Sequence, residues 1–234
     1  MPRSNRHFIP NIPFHVVQRG NNHSICFFNY NDYVAYLAML KKSAAEQGCK
    51  VHALILMTNH VHLLVTPQDK HSISKMMQCL GTNYVLYINR TYGRSGTLWE
   101  GRFKAVLVDS ERYFFAVSRY IELNPVRANM VNTPADYRWS SFHHNALGID
   151  SSLITPHPLY TNLAMDQEQR LAAYRDLFCE ALSDEDILMI RQSTNRGQPI
   201  GNESFVAGIE HQFKTKLAKL KHGGDRKSFG FNAR

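Results

Sequence analysis

The chain is short of cysteine, has no long apolar run, and places no carboxylate next to its most conspicuous histidines. Its four cysteines, Cys26, Cys49, Cys79 and Cys179, are scattered over 234 residues. No two have CxxC spacing and nothing outlines a disulfide framework, so reduced thiols are expected and a zinc ribbon is not. No apolar stretch approaches the roughly 18 residues that span a bilayer. The opening MPRSNRHFIP lacks the apolar centre of a secretion signal, which leads to the expectation of a cytoplasmic protein with no membrane partner. No HExxH is found and no carboxylate lies near His60, which counts against a zinc hydrolase.

Basic charge is plentiful. The formal net charge is +8, and its distribution says more than its sum. Residues 1–165 hold 16 Lys/Arg against 9 Asp/Glu, residues 166–213 hold 4 against 9, and residues 214–234 hold 7 against 1. A basic main region and a basic tail are thus separated by an acidic segment. Such a balance attracts polyanions, chiefly nucleic acid, although solubility alone also uses it.

Hydrophobic periodicity organises the chain. FHVVQRG (14–20) alternates and reads as a strand. Residues 31–48 carry apolar positions at helical spacing, with Asn31 or Asp32 to cap the start and Gly48 to stop it. CKVHALILM (49–57) and HVHLLVT (60–66) are two further strands, joined by Thr58 and Asn59 at hairpin length. Residues 72–93 form a long helix, 102–109 a fourth strand, and 110–124 a third helix closed by Pro125. The order β-α-β-β-α-β followed by a helix predicts an α+β fold. It is a ferredoxin-like sandwich, with a four-stranded antiparallel sheet and helices on one face. Residues 1–145 make this domain. Residues 146–222 read as a helical extension, with helices near 166–181, at 184–193 behind a Ser183/Asp186 cap, and at 203–221. Residues 223–234 read as a basic, disordered tail.

Within MTNHVHLLVT (57–66), His60 and His62 lie two apart on a strand. They project to the same face, with Cβ atoms about 7 Å apart, while Val61 points to the other. Two imidazoles so placed can meet one divalent ion, or they can be two satisfied histidines. His52 on the neighbouring strand has no such partner and reads as structural. Tyr120 and Asn124, four apart on the third helix, share a face. That pair suits a site, and equally a packed phenol beside a residue that caps the helix.

The combination resembles a known family. QRGNN (18–22), MTNHVHLLV (57–65), GTLWEGRFK (96–104), RYIELNPVRA (119–128) and YRWSS (137–141) occur in this order, and together they resemble the HUH endonuclease superfamily. Within it they resemble the single-tyrosine transposases, and among those the REP-associated tyrosine transposases. The resemblance implies a divalent cation, Mg²⁺ or Mn²⁺, held by His60, His62 and Asn124, with Tyr120 as nucleophile. Related insertion-sequence enzymes often have a glutamine in the tyrosine helix where this chain has Asn124. It also implies cleavage of single-stranded DNA carrying a hairpin, at repeated extragenic palindromes, to a 5′-phosphotyrosine and a free 3′-hydroxyl. Tyr113, two turns before Tyr120, reads as a packing residue.

Arg19, Asn21, Trp99, Arg102, Lys104, Arg119 and Arg127 are the candidate DNA contacts: the cations for phosphates, Trp99 for stacking on an unpaired base or for anchoring the core. The competing reading is a non-catalytic nucleic-acid module, because RNA-recognition domains share the βαββαβ frame. The chain lacks their RNP signature and puts histidines where stacking aromatics would sit. Only one or two residues separate the fourth strand from the tyrosine helix, each spanning at most about 3.5 Å. The expectation is therefore a monomer with Tyr120 acting in cis.

Overall fold

The computed structural model describes residues 8–214. The chain runs β1 (Phe14–Arg19), α1 (Tyr30–Glu46), β2 (Cys49–Leu56), β3 (His60–Pro67), α2 (Ser72–Tyr92), β4 (Lys104–Leu107) and α3 (Ser110–Glu122). Three short helices follow, α4 (Asn124–Arg127), α5 (Phe142–Asn145) and α6 (Pro158–Thr161). Then come α7 (Gln167–Asp176), α8 (Asp184–Arg196) and α9 (Glu203–Phe213). The sheet order is β2-β3-β1-β4 with every neighbouring pair antiparallel, the ferredoxin-like arrangement expected from the element order. No helix among the described residues is long and apolar enough to cross a membrane.

Strand alternation builds two cores. Phe14, Val16, Val61, Leu63 and Val65 face α1 and α2, which bring Tyr36, Leu40, Ile73, Met76, Leu80 and Tyr84 to the larger core. On the other face Ala53, Ile55, Leu64 and Val106 meet Phe114, Val117 and Ile121 of α3. The two crossover helices thus share one face, and the tyrosine helix takes the opposite one. A β-bulge at His52 shifts the β2–β3 register between Val51 and Ala53. His52 bonds the Thr155 carbonyl and the Thr66 hydroxyl, which gives it the structural role expected of it.

Local signals explain several element ends, and a few differ from expectation. Asn29, rather than Asn31 or Asp32, caps α1, and Asp32 completes the capping box from the third helical position. β1 is followed by Gly20, where no side chain fits because a Cβ would lie 2.2 Å from the Ser24 carbonyl oxygen. Helix α3 stops at Glu122, and Asn124 opens α4 instead of closing α3. Pro125 sits in the first turn of α4, where its missing N–H costs nothing. The segment between α8 and α9 does more than turn. The Ile200 N–H donates to the Leu107 carbonyl and the Asp109 N–H to the Ile200 carbonyl, both at 2.7 Å. Ile200 thereby extends the sheet beyond β4. Leu182, Ile190 and Ile200 complete the α3 core, so the extension is packed on the domain. Helix α9 is described to Phe213; the remainder of the helix expected to 221 and the basic tail lie outside the described residues.

One carboxyl ties α3 to the segments after it. Glu122 is fully buried and accepts hydrogen bonds from Ser141, Asn145 and Tyr174. Burial outweighs those three donors and raises its pKa from 4.5 to about 7. Below 4.5 the carboxyl is protonated in both folded and unfolded chains; as the pH rises toward 7 the unfolded chain ionises while the folded carboxyl keeps its proton, so stability falls. Glu122→Gln removes that titration. Its stability relative to the wild type should therefore rise between pH 4.5 and 7, by on the order of 2 kcal/mol. Urea melts of both proteins at pH 5 and pH 7 read the difference, and a difference independent of pH would contradict the assignment.

Candidate active site

A cleft of about 600 Å³ opens where β1, β3 and β4 meet the ends of α3 and α8. His60, His62, Tyr120 and Asn124 all line it. The strands set the histidines: His62 is opposite Val17 and His60 opposite Arg19 in the β1–β3 ladder, all on the α3 face. The two imidazole centroids are 5.0 Å apart. Tyr120 sits in the last turns of α3, with its ring edge-on to His62 at 5.9 Å and to His15 at 6.0 Å. All four residues belong to one chain. The strand-to-helix link is as short as expected, since β4 ends at Leu107 and α3 begins at Ser110.

Each histidine of the pair has its Nδ1 engaged by a neighbouring side chain. His60 Nδ1 lies 2.6 Å from the Asn59 side-chain oxygen, which accepts its proton. His62 Nδ1 lies 2.8 Å from Nε2 of His15, and His15 Nδ1 lies 3.1 Å from the Thr194 hydroxyl. Burial pushes His60 down to about 4, helped by the Arg19 charge, and pushes His62 well below its ordinary value, helped by its histidine neighbours. Burial also takes His15 to about 3. Neutral imidazoles are the form that binds metal.

The donor set fits a divalent cation of the open kind. Two neutral imidazoles and the Asn124 carboxamide share one cleft, and Nε2 of each histidine of the pair is the nitrogen left for it. Among the described residues no three His, Cys, Asp or Glu side chains converge, so a closed zinc cage is not formed there. Two imidazoles and one amide oxygen leave positions for water and phosphate oxygens, which suits Mg²⁺ or Mn²⁺.

The rim is cationic. Arg19, Arg102, Lys104 and Arg191 line the cleft with Glu100 as the acid among them. Lys104 Nζ donates to the Asn195 side chain at 2.9 Å. The other candidates stand elsewhere. Asn21 is exposed on a short turn beside the cleft, its N–H donating to the Leu98 carbonyl. Trp99 is a core anchor: it is 6% exposed and packs against Tyr36 and Tyr84, so its ring is covered where a base would stack. The Arg119 guanidinium donates to the Glu180 carbonyl, away from the cleft, and ties α3 to the segment before α8. Arg127 places its guanidinium 4.3 Å from the Tyr120 ring centroid and donates to the Tyr120 carbonyl. It holds the tyrosine from behind rather than facing the cleft. Tyr113 is half-buried in the α3 core and does not reach the site.

His15, Arg191, Thr194 and Asn195 are site residues that the sequence reading did not include. His15 had a visible signal, since it has the same strand parity as Val17 and Arg19. The three residues of α8 had none, because nothing in 183–200 announces that it folds back beside β4.

The fold likeness extends to solved structures. A REP-associated tyrosine transposase bound to a REP hairpin superposes with a TM-score of 0.51 at 16% identity, covering 67% of this chain and 93% of that one. A Haemophilus influenzae protein, provisionally named a REP-associated tyrosine transposase, is 25% identical over 119 residues, which are 44% of this chain and 68% of that protein. The family model described as "Transposase IS200 like" matches residues 9–124, the span from before β1 through Asn124.

The buried histidines predict an acid limit for the metal-free protein. His15, His52 and His60 stay neutral in the fold to about pH 3, 4 and 4 but take up a proton near 6.5 when unfolded. Stability is therefore full above 6.5 and is lost as the pH falls toward 4, by about 1.4 kcal/mol per histidine per pH step. Glu122 acts in the opposite sense, so the Glu122→Gln background isolates the effect. Denaturation midpoints in that background should drop steeply from pH 7 to pH 4.5, and a flat profile would mean that the imidazoles are not buried. Residues 9–124, from before β1 through Asn124, match the IS200-like transposase family, and the chain is similar to the REP-associated tyrosine transposases.

Proposed function

We propose that this chain is a single-tyrosine, cation-dependent nuclease and strand transferase acting on single-stranded DNA, with Tyr120 as nucleophile. The observation that carries the proposal is that Tyr120, Asn124 and the His60–His62 pair of one chain line one cleft with a cationic rim.

In this reading Arg19, Arg102, Lys104 and Arg191 draw the DNA backbone into the cleft by its phosphates. The Tyr120 Oη attacks phosphorus and gives up its proton to solvent; the new P–O bond joins the 5′-phosphate to the phenol, and the bond to the 3′-oxygen breaks. The leaving oxygen takes up a proton to become a 3′-hydroxyl. Because the phosphodiester is exchanged and not hydrolysed, a 3′-hydroxyl can later reverse the step and rejoin strands. A bound Mg²⁺ or Mn²⁺ would polarise the scissile phosphate and offset charge on the leaving oxygen. His60, His62 and Asn124 are the residues that would hold it. Arg127, stacked on the Tyr120 ring and bonded to its carbonyl, restricts where the phenol can go. The hairpin substrate at repeated extragenic palindromes rests on the likeness to a relative solved with a REP hairpin. The rival RNA-recognition reading needs an open sheet face, whereas α1 and α2 cover one face and α3 with residues of α8 the other.

The site is proposed to work in cis, in a competent monomer, because only Val108 and Asp109 link β4 to α3. Tyr120→Phe should abolish the denaturation-resistant protein–DNA adduct while leaving DNA affinity within about twofold, since only one oxygen is lost. His60→Ala should abolish cleavage with the fold retained. A gel of labelled single-stranded DNA with Mn²⁺ reads both. A mixture of the two variants should stay inactive; restored cleavage would mean that the tyrosine serves a partner's histidines.

A further inference from the structure

We propose that His15 and Thr194 are positioning residues for the histidine pair, setting the tautomer of His62 so that its Nε2 lone pair is free for the cleft. The C-terminal extension then works as part of the site, through α8. The proposal rests on reading His60 and His62 as cation ligands.

Buried donors and acceptors constrain the protons of this cluster. His15 is 0% exposed and His62 6%, and neither bonds an acid. A neutral imidazole has one N–H and one lone pair, so the chain His62–His15–Thr194 has two self-consistent directions. In one, the Thr194 hydroxyl donates to His15 Nδ1, His15 Nε2–H donates to His62 Nδ1, and the His62 proton sits on Nε2. That state cannot ligate a cation through Nε2. In the other, His62 Nδ1–H donates to His15 Nε2, His15 Nδ1–H donates to the Thr194 oxygen, and His62 Nε2 carries a lone pair. The second direction matches His60, whose Nδ1–H already donates to Asn59. It requires an acceptor at the far end, and the Thr194 hydroxyl is that acceptor. A valine there leaves the buried His15 Nδ1 without a partner and so no longer anchors the far end of the relay.

Nothing local to β1 supplies the acceptor. Thr194 is 6% exposed on α8, held by Ile190 in the α3 core and by the Ile200 pairing beside β4. His15 ligates nothing itself; both of its nitrogens are spent on the relay. Partners of metal-binding histidines that fix ring and tautomer typically carry about a ten- to hundredfold effect on affinity.

The experiment combines two readouts. Long-range ¹H–¹⁵N spectra of the metal-free protein identify the proton-bearing nitrogen of each histidine, and calorimetry with Mn²⁺ gives its affinity. His15 and His62 should both be Nδ1–H tautomers in the wild type. Thr194→Val should leave His62 no longer fixed as the Nδ1–H tautomer and weaken Mn²⁺ binding about ten- to a hundredfold. Thr194→Ser, which keeps the hydroxyl, should restore both. A wild-type His62 protonated on Nε2, an unchanged Mn²⁺ affinity in Thr194→Val, or a Thr194→Ser no better than valine overturns the relay. If the wild type binds no Mn²⁺, or His60→Ala binds it equally well, the cation reading itself falls. That outcome is distinct from a relay failing in a protein that does bind. The wild-type spectrum judges the relay even if the valine variant does not fold.

Discussion

Successive side chains of a strand point to opposite faces, and in β1 and β3 this alternation divides apolar from imidazole positions. Val16, Val61, Leu63 and Val65 go to the α1–α2 core, while His15, Val17, Arg19, His60 and His62 go to the other face. A one-residue slip in the β1–β3 register would send the histidines into an apolar interior without partners and the valines to the cleft. The register is therefore held from both sides: by the burial of the valines and by the hydrogen bonds that the imidazoles make only in this alignment. Helix α3 then needs only to cover Leu64, Val106 and Ile55 to bring its end, with Tyr120, beside the pair.

The sheet, its order and the central residues were legible because they depend on local periodicity and on short links. The HxH spacing places two side chains on one face without any knowledge of the tertiary structure. A fourth strand joined so tightly to the tyrosine helix leaves that helix little choice of chain. Trp99 shows where such reading stops. A tryptophan flanked by Glu100 and Arg102 carries the same signal whether it faces solvent or the core, and here it closes the core between Tyr36 and Tyr84. Arg119 and Arg127 were equally ambiguous, since an arginine on a helix next to a nucleophile can face substrate or staple the helix down. Both act as staples, one on Glu180 and one on Tyr120 itself.

The extension was the least legible part. Its acidic balance reads as a solvated face, and three carboxylates in the first turn of α8 suit the helix dipole. Its last turns are different in character: Arg191, Thr194 and Asn195 turn to the cleft. The long-range pairing of Ile200 with the end of β4 and the packing of Ile190 in the α3 core place them there. The acidic segment thus keeps its charge away from the cleft and sends a cation and two polar groups toward it.

The central claim is that Tyr120 becomes covalently joined to DNA, and peptide mass spectrometry of the adduct tests it most directly. Incubating the protein with single-stranded hairpin DNA and Mn²⁺, then digesting with nuclease and trypsin, isolates the segment between Arg119 and Ala128. The account predicts a 5′-phosphonucleotide on Tyr120 within the peptide from Tyr120 to Arg127. The same adduct on the peptide from Tyr113 to Arg119, or cleaved DNA with no peptide carrying a nucleotide, would contradict it.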